Sequence, residues 1–289
     1  MPSKNSHQQI KQWGLLIGPP GKWVSLDLAS VWRYRDLIWL FFKRDFIAFY
    51  KQSVLGPLWY LIQPTVTSII YFFIFSRIAN ISTAGLPAIL FYMSGIVLWT
   101  FFSNNLINNA EVFSKNAAVF GKVYFPRLVI PISVVLSGTV AFAIQFSLLM
   151  VVTLGLLIFG TNLTFSPLGI LTIPVLILYV SCLGIGIGLI VSALTVRYRD
   201  LAHAVGFMAQ LWMFASPVVY PLSQVPGAYR KIFYFNPMAA PIESLRAWLF
   251  GTPPVEFSMW VSNLAITSVV LFVGLILFSR AQLTAMDTV

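Results

Sequence analysis

Charged residues are missing from five long stretches of this chain, and this pattern predicts membrane-spanning helices. No Lys, Arg, Asp or Glu occurs in residues 52–76, 78–110, 128–196, 201–229 and 257–279. An α-helix needs about 20 mostly apolar residues to cross the hydrocarbon core of a bilayer. The third stretch is long enough for two crossings, and each of the others fits one. The pattern therefore predicts an all-α membrane protein with six spans, near 54–77, 88–110, 129–159, 168–194, 203–221 and 257–279.

The residues before the first span predict a helix that lies along the membrane surface. At 100° per residue over 29–51, one side carries Arg33, Asp36, Lys43, Arg44 and Lys51. The other side carries Val31, Ile38, Phe41, Phe42, Phe46 and Phe49. This pattern is typical of an amphipathic interfacial helix, and a soluble connector is the alternative. We expect residues 1–28 to form a cytoplasmic tail and residues 29–289 to form a single transmembrane domain.

A proline-rich segment separates the fifth and sixth predicted spans. Residues 216–256 hold seven of the 17 prolines and yet are largely apolar. Asn236 followed by Pro237 favours the start of a helix, and Gly251 favours its end. Non-helical backbone at membrane depth must be buried in protein or line a cavity. We therefore expect two short re-entrant or outer-leaflet helices within 222–251, with an ordinary extracellular loop as the alternative.

Composition and charge strengthen the membrane assignment and orient the chain. Hydrophobic residues make up 58% of the sequence and charged residues 9%, whereas soluble domains carry about 25% charged residues. With both termini in the cytoplasm, 14 of the 18 Lys and Arg residues lie on the cytoplasmic side, as the positive-inside rule requires. These basic residues are spread over several loops rather than one face, which argues against nucleic-acid binding.

The sequence offers little for catalysis, cofactor binding or ion coupling. Gly21-Lys22 resembles part of a phosphate-binding loop, but Leu16 stands at the earlier glycine position and Trp23 follows the lysine. The chain has one cysteine and two histidines, too few for the usual metal sites. No predicted span holds a carboxylate that could couple transport to protons or sodium. We therefore predict a non-enzymatic chain without a metal or cofactor of its own, driven by energy from another chain.

Four segments, taken in order, resemble one known family. They are RDFIAFYKQSVLGPLWYLIQP at 44–64, KVYFPRLVIPIS at 122–133, VRYRDLAH at 196–203, and SPVVYPLSQVP followed by YFNPMAAPIESLR at 216–246. Together they resemble the permease subunit of ABC transporters that export polysaccharides such as O-antigen, capsule and teichoic acid. The resemblance covers 29–279, and the residues on either side match nothing in the family.

The resemblance implies a homodimer in the bacterial inner membrane that works with two copies of a separate ATPase subunit. That subunit would hold the ATP and Mg, and the substrate would be a glycan on a polyprenyl diphosphate lipid. Three alternatives remain open: the same architecture exporting drugs or simple lipids, a membrane enzyme that processes glycans, and a scaffold without transport activity.

The resemblance also implies roles for residues at the cytoplasmic side. It makes 111–127 the loop that couples to the ATPase, with Glu111, Lys115, Lys122 and Arg127 as its charged contacts. The lipid diphosphate needs cationic donors, and arginine suits it because its planar fork can bond phosphate through two parallel N–H groups. We expect these donors to be Arg33, Arg35, Lys43, Arg44 and Lys51; the alternative is that they only bind anionic lipid.

Two further sets of residues follow from a glycan substrate. A sugar needs flat apolar faces, and those available in spans one and five are Trp59, Tyr60, Tyr71, Trp212, Phe214 and Tyr220. The alternative for each is lipid contact or the aromatic belt at the membrane interface. We expect an outer gate to be formed by Pro217, Pro221, Asn236, Pro237 and Arg246.

Overall fold

The computed structural model describes residues 28–51, 54–120, 122–123, 125–161, 163–198 and 200–284, and over these ranges the fold is all-helical. The predicted tail lies outside them apart from Leu28. Within these ranges, the helices long and apolar enough to cross a membrane are Trp59–Ile78, Ala88–Ala110, Val129–Ile158, Pro167–Thr195 and Phe257–Gln282. The all-helical prediction is confirmed for this part of the chain.

The surface helix predicted over 29–51 is two helices, α1 (Leu28–Arg33) and α2 (Arg35–Lys51). They meet at Tyr34, whose backbone N–H still donates to the carbonyl oxygen of Ser30 at 3.1 Å. The next helix, α3 (Trp59–Tyr71), contains Pro64 and continues as a π-helical turn over Phe72–Ile78. Helical structure in the first predicted span therefore begins later than residue 54.

Helix α4 (Ala88–Ala110) is the centre of the fold and the most buried of the long helices. After the short α5 (Val112–Phe120) come α6 (Val129–Ile158) and α7 (Ile173–Thr195), and both pack against α4. Glycines allow the close approach of α7. A Cβ atom added at Gly188 would lie 2.5 Å from the Cβ of Asn109, and one at Gly184 would lie 2.9 Å from the Cβ of Asn105.

Helix α8 (Leu201–Phe214) is shorter than the predicted span at 203–221. Fourteen residues at about 1.5 Å each reach roughly 21 Å, less than the hydrocarbon core of about 30 Å. The backbone leaves the helix at Ala215, although the following residues are just as apolar and are buried from Ser216 to Val219. The described helices therefore give five long spans and one short apolar helix, and a sixth crossing is not established by helix length.

The proline-rich segment after α8 is folded against the long helices. It contains 3-10 turns at Leu222–Gln224 and Lys231–Phe235, the short α9 (Gly227–Arg230) and α10 (Ala239–Phe250). Helix α10 begins two residues after the predicted start at Pro237. It ends where predicted, because Gly251 takes the left-handed conformation with φ of 66° and its N–H bonds the carbonyl oxygen of Ala247. The chain then enters α11 (Phe257–Thr284), which packs along α7.

Candidate functional site

The predicted coupling loop and the predicted surface helix are joined by one aromatic cluster. Phe41 of α2 packs against Phe125 with ring centroids 5.7 Å apart. Phe113 of α5 stacks on Phe278 of α11 at 4.7 Å. These rings are buried together with Val112, Val129, Ile130 and Leu189. Five of the described helices, α2, α5, α6, α7 and α11, therefore meet at the end of the molecule that the charge distribution predicts to be cytoplasmic.

The four charged residues predicted to couple to an ATPase have different surroundings. The Nζ atom of Lys115 lies 2.6 Å from a carboxylate oxygen of Glu111 and also donates to Asn108 at 3.2 Å. Lys122 is exposed. Arg127 is only 7% exposed, so little of its charged group reaches the surface of the chain. Lys122 is therefore the member of this set whose charge is most accessible.

Arg127 instead connects the loop to the last helix. Its Nη1 donates to the backbone carbonyl oxygen of Gln282 at 2.8 Å. Its guanidinium carbon lies 5.1 Å from the ring centroid of Phe120 and 5.9 Å from that of Phe113. A cation bound to carbonyls near the end of a helix also stabilises the helix dipole. The predicted role of Arg127 at a partner interface remains untested, and its observed contacts are structural.

The basic residues predicted to meet a lipid diphosphate are all exposed: Arg33, Arg35, Lys43, Arg44 and Lys51. Among the contacts with described residues, only that of Arg44 reaches another part of the chain, where its Nη2 donates to Oδ1 of Asn116 on α5 at 3.5 Å. The Nζ atom of Lys43 lies 5.6 Å from the ring centroid of Trp39, within reach of a cation–π interaction. The predicted site is thus a row of cations along α1 and α2 rather than an enclosed pocket.

The outward side of α1 and α2 is less polar than the helical pattern predicts. Val31 and Phe41 are buried on the inward side, as expected, and the side chain of Phe49 lies outside the described part. Trp32, Trp39 and Leu40 are more than half exposed, between the basic residues. Tryptophan and lysine side by side suit the headgroup region, where each can keep its polar end in water.

The aromatic residues predicted to line a glycan path divide into two groups. Trp59 and Phe214 are exposed, at 46% and 44%, and Tyr60 is half-buried. The others make internal contacts. The hydroxyl of Tyr71 approaches Sδ of Met213 at 3.8 Å, the Trp212 ring packs on Phe102 with centroids 5.1 Å apart, and the hydroxyl of Tyr220 donates to the carbonyl oxygen of Phe214. Among the predicted residues, Trp59 and Phe214 therefore have the most open ring faces.

The predicted outer gate is organised by Arg246, which has no exposed surface. Its Nη1 donates to the carbonyl oxygen of Pro217 at 2.6 Å, and its Nη2 donates to those of Phe91 at 3.0 Å and Val218 at 3.1 Å. Further contacts reach Ser94 Oγ and a carboxylate oxygen of Glu243. The guanidinium satisfies the backbone carbonyls that the chain frees where it leaves α8, as burial demands.

Glu243 and Arg246 form a buried ion pair at this gate. The separation between Arg246 Nη1 and Glu243 Oε1 is 3.4 Å, and the same carboxylate oxygen accepts from the backbone N–H of Leu222 at 3.2 Å. Burial raises the pKa of Glu243, while the guanidinium and the N–H partly offset this. Burial lowers the pKa of Arg246 to about 10, which leaves it protonated at neutral pH. The positive charge of Arg246 thus favours the ionised form of Glu243, which burial opposes.

Asn236 joins the end of α8 to the start of α10. Its Nδ2 donates to the carbonyl oxygen of Ala215 at 2.9 Å and to Ser216 Oγ at 3.0 Å. Its Oδ1 accepts from the indole N–H of Trp212 and from the backbone N–H of Met238. Pro217, Pro221 and Pro237 are buried beside it. The structure thus brings the predicted gate residues into one packed unit, and their gating role stays a prediction.

Three residues of this unit were not predicted from the sequence. The hydroxyl of Tyr179 donates to the carbonyl oxygen of Pro237 at 2.8 Å and accepts from Thr267 at 2.8 Å. The side chain of Asn263 donates to the carbonyl oxygen of Tyr234 and accepts from the N–H of Ala240. Tyr179, Asn263 and Thr267 all lie in stretches without charged residues. There, their uncharged polar side chains were the only sequence signal that could have indicated a role in this unit. In the described ranges, no group of three His, Cys, Asp or Glu side chains could hold a metal ion.

Comparisons with known proteins match most of this chain. The profile of the ABC-2 type transporter family matches residues 36–250. An O-antigen export system permease protein RfbA of Klebsiella pneumoniae is 30% identical over 248 residues, which are 86% of this chain and 92% of that protein. The RfbA protein of Myxococcus xanthus is 29% identical over 222 residues, 76% of this chain and 82% of that protein. This chain therefore belongs to the ABC-2 type transporter family.

Proposed function

We propose that this chain is the permease subunit of an ATP-driven exporter that moves a polysaccharide, carried on a polyprenyl diphosphate lipid, across the bacterial inner membrane. The observation that carries the proposal is the similarity to an O-antigen export permease over 86% of the chain. The similarity is not confined to the apolar spans, because the family profile includes α2, the coupling loop and the Arg246 unit. Export of drugs or simple lipids would not explain this particular set of relatives.

The cytoplasmic half is proposed to receive the ATPase subunit and the lipid head. Lys122 and the salt-bridged Lys115 offer surface charge beside α5 for a partner that holds the ATP and Mg. A movement of α5 would be transmitted to α2 through the aromatic cluster that contains Phe41. It would be transmitted to α11 through the contacts of Arg127. The row of cations on α1 and α2 would bind the lipid diphosphate at the headgroup level, since guanidinium and ammonium groups bind phosphate strongly.

The membrane half is proposed to be completed by a second copy of the chain. The span Trp59–Ile78, formed by α3 and its π-helical turn, is the least buried of the long helices. Its outward side chains include Val66 and Ile70 of α3 and Phe73 of the turn. Helix α8 also exposes Phe207, Met208 and Leu211. We propose that these two helices face the partner protomer and border the glycan path. In this arrangement α8 and the apolar residues after it make the sixth crossing, which puts both termini in the cytoplasm.

The decisive experiment is purification of the tagged chain from its native membrane in mild detergent. The expected result is an ATPase subunit in equal amount, with ATP hydrolysis, identified by mass spectrometry. Deletion of the gene should remove lipid-linked polysaccharide from the cell surface and leave it on the cytoplasmic side. Recovery of a lone chain without ATPase, together with an unchanged surface polysaccharide, would contradict the proposal.

A further inference from the structure

A cavity of about 140 Å³ lies beside the outer gate and is separate from the residues predicted to line the glycan path. Its wall comes from four parts of the chain: the start of α4 with the loop before it, the turns and α9 after α8, the inner side of α10, and the connection from α10 into the start of α11. The polar lining residues are Ser223, Arg230, Glu243, Arg246, Thr252 and Glu256. Phe91, Pro253 and Pro254 are among the apolar residues of the wall.

Two polar atoms at this cavity have no partner among the described residues, although both are shielded from solvent. They are Nε of Arg230 and the hydroxyl oxygen of Thr252. A buried polar group without a hydrogen bond costs about 1–3 kcal/mol, so such groups usually have a role or a ligand. The guanidinium of Arg230 makes only one long contact, from Nη2 to the carbonyl oxygen of Ser223 at 3.4 Å. Arg230 and Thr252, which both line the cavity, therefore retain unused hydrogen-bonding capacity among the described residues.

The charges of the wall balance each other. Two arginines and two glutamates line it. Arg246 and Glu243 are already paired, and the carboxylate of Glu256 accepts from the hydroxyl of Tyr234. A phosphate would need an excess of cationic donors, and a metal ion would need an excess of carboxylates. A balanced wall with separate donors and acceptors favours a neutral molecule that carries several hydroxyl groups.

The size of the cavity restricts this molecule to a single small ring. At about 10–15 Å³ for each water position, a cavity of 140 Å³ holds about ten waters. A hexose has nearly the same number of heavy atoms. The ring of Phe91 and the two prolines supply apolar surface for sugar C–H groups, while Arg230 and Thr252 can reach hydroxyl groups. We propose that this cavity binds one neutral sugar unit at the outer face of the membrane.

This inference rests on the proposed function, because it assigns the sugar unit to the exported polymer after it passes the gate. A pocket here would hold the leading sugars of the polymer on the outer side of the membrane. It would thereby oppose backward movement of the polymer through the exporter. The site is formed within one protomer and does not depend on where the two copies meet.

The test uses the full chain in lipid nanodiscs without ATP and the probes D-glucose, D-galactose and D-mannose. Saturation-transfer difference NMR titrations give the affinity of each sugar. We expect at least one sugar to bind. The substitutions Arg230→Gln and Thr252→Val should each weaken the affinity for that sugar by about tenfold, because each removes a hydrogen bond worth about 1.4 kcal/mol or more. Thr252→Ser keeps the hydroxyl and should retain binding.

The matched control is Lys231→Gln, which removes the same charge from the adjacent residue. Lys231 is exposed and does not line the cavity. The Lys231→Gln variant should therefore bind sugar with the same affinity as the unchanged chain. The inference is overturned if no sugar binds, or if both variants bind as well as the control. It is also overturned if glycerophosphoethanolamine displaces the sugar and binds more tightly, because the pocket would then hold a lipid headgroup.

These outcomes are distinguishable from failure of the proposed function. Sugar binding is measured on the chain alone, without ATP hydrolysis or transport. Loss of the ATPase partner or unchanged surface polysaccharide would contradict the exporter proposal even if sugar binds. Conversely, a fully active exporter that binds no sugar would leave the exporter proposal intact and remove only the pocket.

Discussion

At the scale of single residues, the outer half of the molecule depends on side chains that complete the hydrogen bonding of broken backbone. Arg246 binds carbonyl oxygens from α4 and from the segment after α8, and Asn236 binds both the end of α8 and the start of α10. Neither residue has a spare hydrogen-bonding group to lose without leaving a buried partner unsatisfied. Replacing either side chain should therefore lower the stability of the chain even without substrate.

Arg246→Met should destabilise the chain strongly. Removing one partner of a buried ion pair costs about 3–5 kcal/mol, and here Glu243 and several carbonyl oxygens would all lose their donor. Thermal unfolding in nanodiscs, followed by tryptophan fluorescence, should show a clear drop in Tm. Lys231→Met removes an exposed positive charge and serves as the control. Equal Tm values for the two variants would show that the guanidinium contributes no stability.

Gly188→Ala should also lower the Tm, for a steric reason. The new Cβ would lie 2.5 Å from Cβ of Asn109 and 3.0 Å from the carbonyl oxygen of Leu106. Forcing extra atoms into a packed core costs about 1–3 kcal/mol. Gly155→Ala is the matched control, because nothing lies within 4 Å of its added Cβ and alanine is the better helix former. A drop of the same size in both variants would mean that helix contact at Gly188 is not tight.

At the scale of elements, α5 is bound on two sides, to α2 through Arg44 and to α11 through Arg127. Both contacts lead from a short exposed helix to longer ones. The surface of α5 that remains open carries Lys115 in its ion pair with Glu111, and exposed Lys122 follows the helix. The arrangement favours transmission of force from a bound partner into the helices around it.

Lys122→Glu should weaken binding of the ATPase subunit. Like charges placed together across an interface cost several kcal/mol, so we expect at least about tenfold weaker association and less exported polysaccharide. The measurement is the amount of co-purified ATPase together with the surface polysaccharide. Lys231→Glu, the same change on the opposite end of the molecule, is the control. Normal association and export with Lys122→Glu would argue against this loop as the contact.

The elements that could be predicted from sequence are those with a strong local cause. The predicted spans match α4 and α6 to within one residue at each end. They also match the end of α7, although a 3-10 turn takes up the first residues predicted for that span. The glycine at 251 ends α10 because it can adopt a positive φ. The end of α8 has a local cause as well, because Pro217 lacks a backbone N–H and disfavours the helical conformation of Ser216 before it. The fold of the residues after it does not follow from local sequence, because distant Arg246 and Asn236 bind the freed carbonyl oxygens.

The candidate site shows the same division. Exposure of the cations on α2 follows from helical periodicity and was predictable. Burial of Arg127 was not predictable, because its partners come from two other helices. They are Phe113 and Phe120 of α5 and Gln282 of α11. The polar network of Tyr179, Asn263 and Thr267 was not predictable from the sequence, because uncharged polar residues do not interrupt a hydrophobic stretch.

At the scale of the whole molecule, burial is distributed unequally between the long helices. Within the described chain, 78% of the most apolar stretch of α4 is buried, whereas only 11% of the most apolar stretch of Trp59–Ile78 is buried. A helix at the centre of one protomer and a helix almost without cover are both expected if two copies pack together. Lipid contact alone could also cover α3, so the two explanations need a direct test.

Cysteine crosslinking distinguishes them. Cys182 is the single cysteine, so Cys182→Ser gives a background without thiols, into which Ile70→Cys is introduced. If α3 faces a second copy, mild oxidation in native membranes should give a band at twice 32.3 kDa. Val151→Cys on α6, which is 64% exposed, is the control and should stay monomeric. Crosslinking at both positions or at neither would contradict α3 as the dimer contact.

The bonds of Arg246 also bear on how the newly made protein matures. Its partners at Phe91 and Ser94 lie 155 and 152 residues earlier in the chain, so they leave the ribosome long before α10 does. Until α10 is made, the carbonyl oxygens of Pro217 and Val218 lack this donor, inside an otherwise apolar segment. The outer half therefore acquires its final form only after α10 has been synthesised. A chain truncated before Arg246 should accordingly be recognised as incomplete and degraded by membrane proteases.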